Sequence, residues 1–244
     1  MSNTFLLKEY INQIIKEYKS SFDIRHFKSL KEKPIIQSYA YKTLKYLGEG
    51  TARIVYLMPN TNYVLKIAKS RFGEKQNKAE VDTYTDPATK NVVTKIYDFD
   101  SEYKWIMSET ANPLKSELGE FENLTGVTFE GFFKAIKDPI DNGGTLESNI
   151  SDYIKDLNEI LLGLQQELKF NLDQKNAIKR EIAQIEQKLL DQNKILESGF
   201  VKAIYSLVEK GLLIGDLEYI GHYGQTSDGR IVILDYGFTM EVWN

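Results

Sequence analysis

Residues 211–239 read GLLIGDLEYIGHYGQTSDGRIVILDYGFT, with two acidic residues that each follow an apolar run. Asp216 follows the first run and Asp235 follows the second. Between them, Asp228-Gly229 favours a tight turn that joins two short strands. Such a hairpin would carry both carboxylates to one edge, where they suit a general base and a metal ligand. The alternative is a plain hairpin with acidic caps.

The composition excludes several kinds of active site. None of the 244 residues is a cysteine, so disulfides, thiolate nucleophiles and thiolate zinc sites are excluded. The two histidines, His26 and His222, argue against an imidazole metal cage and against a Ser-His-Asp hydrolase. What remains is carboxylate, lysine and main-chain chemistry, which phosphoryl transfer uses.

Charge and hydropathy predict neither a nucleic-acid partner nor a membrane. A net charge of −4 gives no general attraction to nucleic acid or to anionic lipid. The chain has no run of about 18 apolar residues, so no membrane span is predicted. Residues 1–20 mix charged with apolar side chains, unlike a secretory signal. We therefore expect a cytoplasmic protein.

Residues 41–69 predict three strands whose first turn is rich in glycine. That turn contains Gly48 and Gly50, and glycine lets main-chain N–H groups approach an anion closely. The third predicted strand contains Lys66, and a polar helix predicted over residues 74–84 contains Glu80, 14 residues later. A solvated helix face is the alternative for Glu80. Two more strands are predicted over residues 92–98 and 104–108.

In this order the motifs resemble the protein-kinase-like superfamily. The turn with Gly48 and Gly50 resembles the glycine-rich loop, and Lys66 resembles the strand lysine that contacts the α- and β-phosphates. Glu80 stands where the helix glutamate pairs with that lysine. GDL at Asp216 is similar to the catalytic loop, and LDYG at Asp235 is similar to the Asp-Phe-Gly motif, with tyrosine in place of phenylalanine.

The resemblance implies ATP and Mg²⁺ as cofactors and assigns the site residues. Asp216 would orient or deprotonate an acceptor hydroxyl, and Asp235 would hold Mg²⁺ against the phosphates. The implied catalytic residues are Asp216, Lys66 and Glu80, the cofactor-binding residues are Gly48, Gly50, Arg53, Lys66, Glu109 and Ala111, and the metal ligand is Asp235.

The chain departs from the kinase pattern at several positions. Arg53 replaces the third glycine of the loop, and Gly221 stands where kinases have the asparagine that binds a second Mg²⁺. His222, the residue after Gly221, could take the place of that asparagine, but imidazole is a poor ligand for Mg²⁺. We therefore expect His222 to be structural or to donate a hydrogen bond to phosphate. Seven residues follow LDYG, too few for an activation segment, which resembles minimal RIO and lipopolysaccharide-kinase-like members.

Residues 146–197 predict a long helical insertion without proline. Its apolar residues repeat at spacings of three and four, as in a heptad seam. We expect an antiparallel helical hairpin that reverses near residues 170–176, or an intermolecular coiled coil. Either would serve recognition or assembly. The seam consists of Ile150, Ile154, Leu157, Leu161, Leu164, Leu168, Ile178, Ile182, Ile185 and Leu189.

The expected fold is α+β, two-lobed and protein-kinase-like, with an antiparallel N-lobe sheet and a reduced helical C-lobe. The expected segments are an amphipathic helix over residues 4–19 and a polar connector over residues 20–37, broken at Pro34, both within 1–40; the N-lobe at 41–111; the start of the C-lobe at 112–145; the insertion at 146–198; and a helix with the catalytic hairpin at 199–244. The phenylalanines at 121, 129, 132 and 133 are expected in the core.

The sequence thus predicts an ATP- and Mg²⁺-dependent phosphotransferase with a hydroxyl acceptor, either a protein or a small molecule. The alternative is a weak or inactive pseudokinase that acts as a nucleotide-binding or structural module. In both cases residues 146–198 are expected to contact a second copy or an assembly partner. The motif order also resembles kinase-like proteins encoded by bacteriophages, which implies host cytoplasm or virion as the location.

Overall fold

The computed structural model of the protein describes residues 22–115, 119–170 and 175–236. The helix predicted over residues 4–19 lies outside this part of the chain. The chain divides into two compact units. Among the described residues, the first unit comprises residues 22–82 together with Lys95–Thr110, and the second comprises Thr83–Thr94 together with the described residues between 111 and 236. The structure is a mixture of helices and antiparallel sheets, as expected.

The first unit is built on a five-stranded antiparallel sheet. In chain order its elements are α1 (Ile24–Ser29), α2 (Lys33–Thr43), β1 (Lys45–Glu49), β2 (Arg53–Leu57), β3 (Tyr63–Ala68), α3 (Arg71–Thr85), β4 (Ile96–Phe99) and β5 (Trp105–Glu109). The strand order is β1-β2-β3-β5-β4, so β3 lies in the centre. Lys66 of β3 stands opposite Val55 on one side and Ile106 on the other.

The segment predicted as a polar connector instead forms α1 and α2, so that prediction was wrong. Asp23 caps α1, because its side chain accepts hydrogen bonds from the main-chain N–H groups of Arg25 and His26. Pro34 lies in the first turn of α2, where its missing N–H has no helical partner to lose. A proline that indicated a break therefore marks the start of a helix.

Helices α1 and α2 cover one face of the sheet, and Lys66 belongs to the other face. The covered face forms a core of Phe27, Ile36, Ala40, Leu44, Tyr56, Leu65, Ile67, Trp105 and Met107, among others. Side chains alternate along a strand, so Lys66, which lies between Leu65 and Ile67, points away from this core. Lys66 is nevertheless buried.

The second unit combines helices with a three-stranded antiparallel sheet. Its elements are β6 (Ala111–Pro113), α4 (Glu120–Thr125), α5 (Phe129–Asn142), α6 (Leu146–Phe170), α7 (Lys175–Glu197), α8 (Gly199–Glu209), two 3₁₀ turns (Ile214–Leu217 and Ile220–His222), β7 (Tyr223–Thr226) and β8 (Ile231–Ile233). The strand order is β6-β7-β8. Of the four phenylalanines predicted as core, Phe121 and Phe132 are buried in the core of this unit, and Phe129 and Phe133 are partly buried and pack against it. The rings of Phe121, Phe129 and Phe132 contact one another.

Residues 92–98 do not form the single strand that the sequence predicts. Strand β4 begins only at Ile96, and Val92 accepts a hydrogen bond from the N–H of Ile233 at 2.9 Å. Val92 and Val93 are buried in the core of the second unit. The first part of this apolar run therefore belongs to the core of the second unit, and the last part belongs to the sheet of the first unit.

Helices α6 and α7 flank residues 171–174 and pack along each other. We call this pair the helical arm. The seam side chains of the arm are withdrawn from solvent: Ile150, Leu157, Ile178 and Ile185 are buried, and the others are half-buried. Within the described residues, no helix is long and apolar enough to span a membrane.

Strands β7 and β8 form the hairpin expected between the two acids. Thr226 closes its turn, because its N–H donates to the Arg230 carbonyl at 2.9 Å and its carbonyl accepts from Gly229 N–H at 3.0 Å. Gly229 has φ +86°, a left-handed conformation that glycine adopts at no steric cost. The tight turn that the Asp-Gly pair predicts is therefore present in the structure.

Candidate functional site

Lys66 and Glu80 form a buried ion pair in the first unit. The Lys66 Nζ donates to the two carboxylate oxygens of Glu80 at 2.8 and 3.0 Å. The Glu80 side chain is fully buried and that of Lys66 is 8% exposed. Burial strengthens the attraction between the two charges and strongly disfavours either one alone. The pair fixes the ammonium group on the central strand against helix α3.

Arg53 is the second cation bound to Glu80. Its Nη1 donates to Glu80 Oε1 at 2.6 Å and to Asn77 Oδ1 at 3.4 Å. The side chain is buried with the ion pair. The resemblance assigns Arg53 to the cofactor, but the guanidinium observed here orients Glu80, and a direct contact with phosphate stays a prediction.

The turn that contains Gly48 and Gly50 is open on the side of its glycines. A Cβ built on either residue meets no atom within 4 Å. The N–H of Gly50 is already used, because it donates to the Arg53 carbonyl at 3.0 Å and closes the β1–β2 hairpin. Lys69 Nζ donates to the Gly50 carbonyl at 3.1 Å. A phosphate at this turn would therefore need a main-chain donor other than Gly50.

Main-chain N–H groups are also already hydrogen-bonded around the predicted cofactor-binding residues Glu109 and Ala111. The N–H of Glu109 donates to the Lys95 carbonyl, and that of Thr110 donates to the Asn62 carbonyl, both at 2.9 Å. The Glu109 carboxylate accepts a hydrogen bond from Lys95 N–H. Ala111 lies in β6, opposite Thr226. The contact of Glu109 and Ala111 with the cofactor stays a prediction.

Asp216 lies in the first 3₁₀ turn of the second unit with one oxygen buried. Its Oδ2 has no hydrogen-bond partner among the described residues. The pKa of the Asp216 carboxyl is raised from 3.8 to about 6, mainly by burial and also by the nearby negative charge of Asp235, while His222 opposes the shift. A carboxyl with a pKa near neutrality is suited to accept a proton in catalysis.

Asp235 follows β8, and Tyr236 anchors it to the core. The hydroxyl of Tyr236 donates to the Thr94 carbonyl at 2.9 Å and lies 3.3 Å from Thr94 Oγ1. Tyr236 is buried. Its hydroxyl, which the phenylalanine of the kinase motif lacks, thus gives the segment of Asp235 a fixed polar attachment.

His222 and Gly221 occupy the region where the second metal ligand of kinases is expected. His222 Nδ1 lies 2.7 Å from the main-chain oxygen of Asp216, so the imidazole has a structural contact. A Cβ at Gly221 would overlap the ring of Tyr219, which also packs edge-on against His222 with 5.3 Å between ring centroids. A side chain at position 221 would therefore have to displace this ring.

Asp216 and Asp235 fit a Mg²⁺ ion that is shared with a nucleotide. Mg²⁺ is usually held by one or two carboxylates together with substrate phosphates. The orphaned Oδ2 of Asp216 is such a donor, and Asp235 lies close enough to shift its pKa. Across the described residues, no group of three or more His, Cys, Asp or Glu side chains is placed to hold a metal ion.

Two residues that support the Glu80 cluster carry no sequence signal. Gly73 lets α3 approach the β1–β2 turn, because a Cβ there would overlap the Ala52 carbonyl oxygen and lie 3.1 Å from Ala68 Cα. Asn77 is fully buried and donates to the Tyr103 carbonyl at 2.8 Å. Both act through contacts with residues distant in sequence, which no local pattern reveals.

Comparison with known proteins yields structural similarities alone. No family model matches the chain, and no curated protein sequence matches it. The aminoglycoside phosphotransferase APH(2″)-IIa, solved with streptomycin and ATP, aligns over 85% of this chain and 71% of its own at 14% identity and TM-score 0.34.

Two further solved structures give similar values. Choline kinase LicA from Streptococcus pneumoniae aligns over 85% of this chain and 69% of its own, at 13% identity and TM-score 0.33. An ethanolamine kinase from Plasmodium vivax aligns over 95% of this chain and 68% of its own, at 16% identity and TM-score 0.33. These similarities are weak, and we rest no functional conclusion on them.

Proposed function

We propose that the protein is an ATP- and Mg²⁺-dependent phosphotransferase of the protein-kinase-like superfamily that transfers the γ-phosphate to a hydroxyl acceptor. The observation that carries the proposal is the buried pair of Lys66 with Glu80. A lysine in the middle of a sheet is costly to bury, and a carboxylate at 2.8 Å offsets this cost and orients the ammonium group. Such a lysine is suited to bind nucleotide phosphates.

Asp216 would act on the acceptor. With a pKa of about 6, its carboxyl is ionised at neutral pH and can take the proton of a hydroxyl as the oxygen attacks phosphorus. The acceptor itself would be a protein or a small molecule.

Asp235 would hold Mg²⁺, with Asp216 as the neighbouring carboxylate. The ion would neutralise phosphate charge during transfer. The chain's own contribution is to keep Asp235 in place, through β8 before it and the bond of Tyr236 to Thr94 after it. Glu80 and Arg53 contribute by orienting Lys66.

Transfer of the γ-phosphate from labelled ATP into a cell lysate tests the proposal. We expect Mg²⁺-dependent labelling with the native chain and its loss with Asp216→Asn or Asp235→Asn, since each removes a required carboxylate. Asp152→Asn, on an exposed position of α6, is the matched control and should label like the native chain. Labelling that survives both site substitutions would refute the assignment.

The second candidate is a pseudokinase that acts as an assembly module through the helical arm. It is favoured by large apolar side chains that the arm exposes, since Ile160, Leu162 and Leu190 are each about half exposed. Under this alternative, the purified protein would show no Mg²⁺-dependent stabilisation by ATP. Light scattering on the native chain and on Leu162→Lys would then show a loss of assembly in the variant.

A further inference from the structure

His222 bonds to both segments that carry the acids. Its Nδ1 contacts the main-chain oxygen of Asp216 at 2.7 Å. Its own main-chain oxygen accepts a hydrogen bond at 2.8 Å from the N–H of Leu234, which directly precedes Asp235. One residue therefore joins the turn of Asp216 to the strand end of Asp235.

The side-chain contact defines the state of the imidazole. A carbonyl oxygen can only accept a hydrogen bond, so Nδ1 must carry the hydrogen and act as the donor. The ring of Tyr219 packs against the imidazole nearly at right angles, 80° between the planes, and restricts its rotation. The donor is thus aimed at Asp216 by two neighbours in the same loop.

The two bonds close different parts of the chain. The main-chain bond between His222 and Leu234 closes the base of the β7–β8 hairpin and forms with any side chain at position 222. The imidazole bond closes the loop from Asp216 to His222 and needs a donor at the position of Nδ1. Substitution of His222 therefore opens the loop of Asp216 and leaves the hairpin closed.

We propose that His222 is a positioning residue whose imidazole holds the main chain of Asp216 in register with Asp235, so that the two carboxylates keep one separation. We call this pair of bonds the His222 bridge. Its catalytic consequence rests on the proposed function, whereas the bridge itself is a property of the loop. No contact of His222 with substrate or metal is required.

Three substitutions distinguish the position of the donor from its mere presence. Asparagine places its amide nitrogen close to where Nδ1 lies, glutamine places it nearer to Nε2, and leucine has none. For hydrolysis of Mg²⁺-ATP, in which water takes the place of the acceptor hydroxyl, we expect His222→Leu and His222→Gln to lower kcat by roughly 10- to 100-fold, because small displacements of catalytic groups are that costly. His222→Asn should retain most of kcat, and the KM for ATP should change little in all three.

Tyr223→Phe is the matched control for a general loosening of the loop. It removes the neighbouring bond from the Tyr223 hydroxyl to the Leu217 carbonyl, 3.1 Å long, which does not touch either acid. Its kcat should stay close to that of the native chain. Equal loss of kcat in Tyr223→Phe and His222→Leu, or equal kcat in the asparagine and glutamine variants, would overturn the positioning role.

Hydrogen exchange tests the bridge without any activity. We expect faster exchange of the amides of residues 216–222 in His222→Leu, recovery in His222→Asn, and an unchanged Leu234 amide in both. Unchanged exchange of residues 216–222 in His222→Leu would overturn the bridge. If the variants show this exchange pattern but the native chain transfers no phosphate, the proposed function is overturned and the bridge is still supported.

Discussion

Glu80 is the residue at which the charges of the first unit converge. It accepts hydrogen bonds from Lys66 and from Arg53, and its side chain has no exposure to solvent. Removing one member of a buried charge cluster leaves the others without compensation, which costs more than the cluster contributes when complete. Loss of the carboxylate therefore costs more than loss of one cation, because a single carboxylate compensates two cations.

We predict that Glu80→Gln destabilises the protein more than Lys66→Met does. Glutamine takes the shared negative charge from both cations, at a cost of about 3 kcal/mol. Lys66→Met removes one cation and leaves Glu80 with Arg53 at 2.6 Å, so the loss should be smaller. Urea unfolding of the two variants measures the difference; equal losses would show that Arg53 does not stabilise Glu80.

Asp216 gives a prediction about pH. Its pKa is raised from 3.8 to about 6 in the folded protein by burial, with a further contribution from Asp235. Below pH 3.8 the carboxyl is protonated in both the folded and the unfolded state and carries no penalty. As pH rises through 6 the folded state acquires the full cost of the buried charge, so Asp216 destabilises the protein at neutral pH.

Asp216→Asn should therefore stabilise the protein at pH 7.5 and have less effect at pH 4.5. A shift of about two pKa units corresponds to at most roughly 3 kcal/mol, and partial exposure reduces this to about 1–2 kcal/mol. Chemical unfolding in EDTA, which excludes bound Mg²⁺, measures the gain at each pH. A gain that is equal at the two pH values would contradict the cause assigned here.

At the level of elements, helix α3 depends on a glycine for its contact with the β1–β2 turn. Gly73→Ala would overlap the Ala52 carbonyl oxygen, which as main chain cannot swing away. We expect a loss of about 1–3 kcal/mol from overpacking and a weaker hold of Glu80 on Lys66.

Gly163→Ala is the matched control. Gly163 lies on the exposed side of α6, and a Cβ there meets nothing within 4 Å. Because alanine favours helices, this substitution should stabilise the protein by about 0.5–1 kcal/mol. Thermal unfolding of the two variants should give shifts of opposite sign; a stabilising Gly73→Ala would mean that α3 can move away from the turn.

In the whole molecule, the helical arm joins the hydrophobic core of the second unit only at its base, near the start of α6 and the end of α7. Leu146, Ile150 and Ile195 belong to the core of the second unit, whereas Leu157 and Ile178 are buried outside that core cluster. The base of the arm therefore stabilises the unit, and the distal part stabilises mainly itself.

Replacing residues 160–186 with a short Gly-Ser loop should therefore preserve the fold of the remaining chain. Ile195→Ala, at the base, should cost about 2–4 kcal/mol, because it leaves a cavity in the core. Guanidinium unfolding of both variants is the measurement. If the shortened chain is unfolded while Ile195→Ala is as stable as the native chain, the distal part rather than the base stabilises the second unit. Loss of assembly in the shortened chain would support a role of the arm in contacts.

Patterns repeated at short range were readable from the amino acids. The spacing of apolar residues at three and four positions predicts helices over residues 146–197, and α6 and α7 are found there. The Asp-Gly turn lies between β7 and β8, as predicted. The 14-residue spacing of Lys66 and Glu80 matches the ion pair in the structure. The helices and the turn depend on neighbours within one or two elements, so propensity and periodicity are sufficient for them, whereas the pairing of Lys66 with Glu80 was implied by the resemblance of the motif order.

Contacts between distant elements required the folded chain. Pro34 indicated a break but begins α2, and the bond of Arg53 to Glu80, 27 residues away, was not predicted. Gly73 carries no local signal, because its role is the approach of α3 to the main chain of Ala52. Hydrophobic periodicity specifies which face of an element is buried, but packing selects the partner, and partners distant along the chain leave no trace in local sequence.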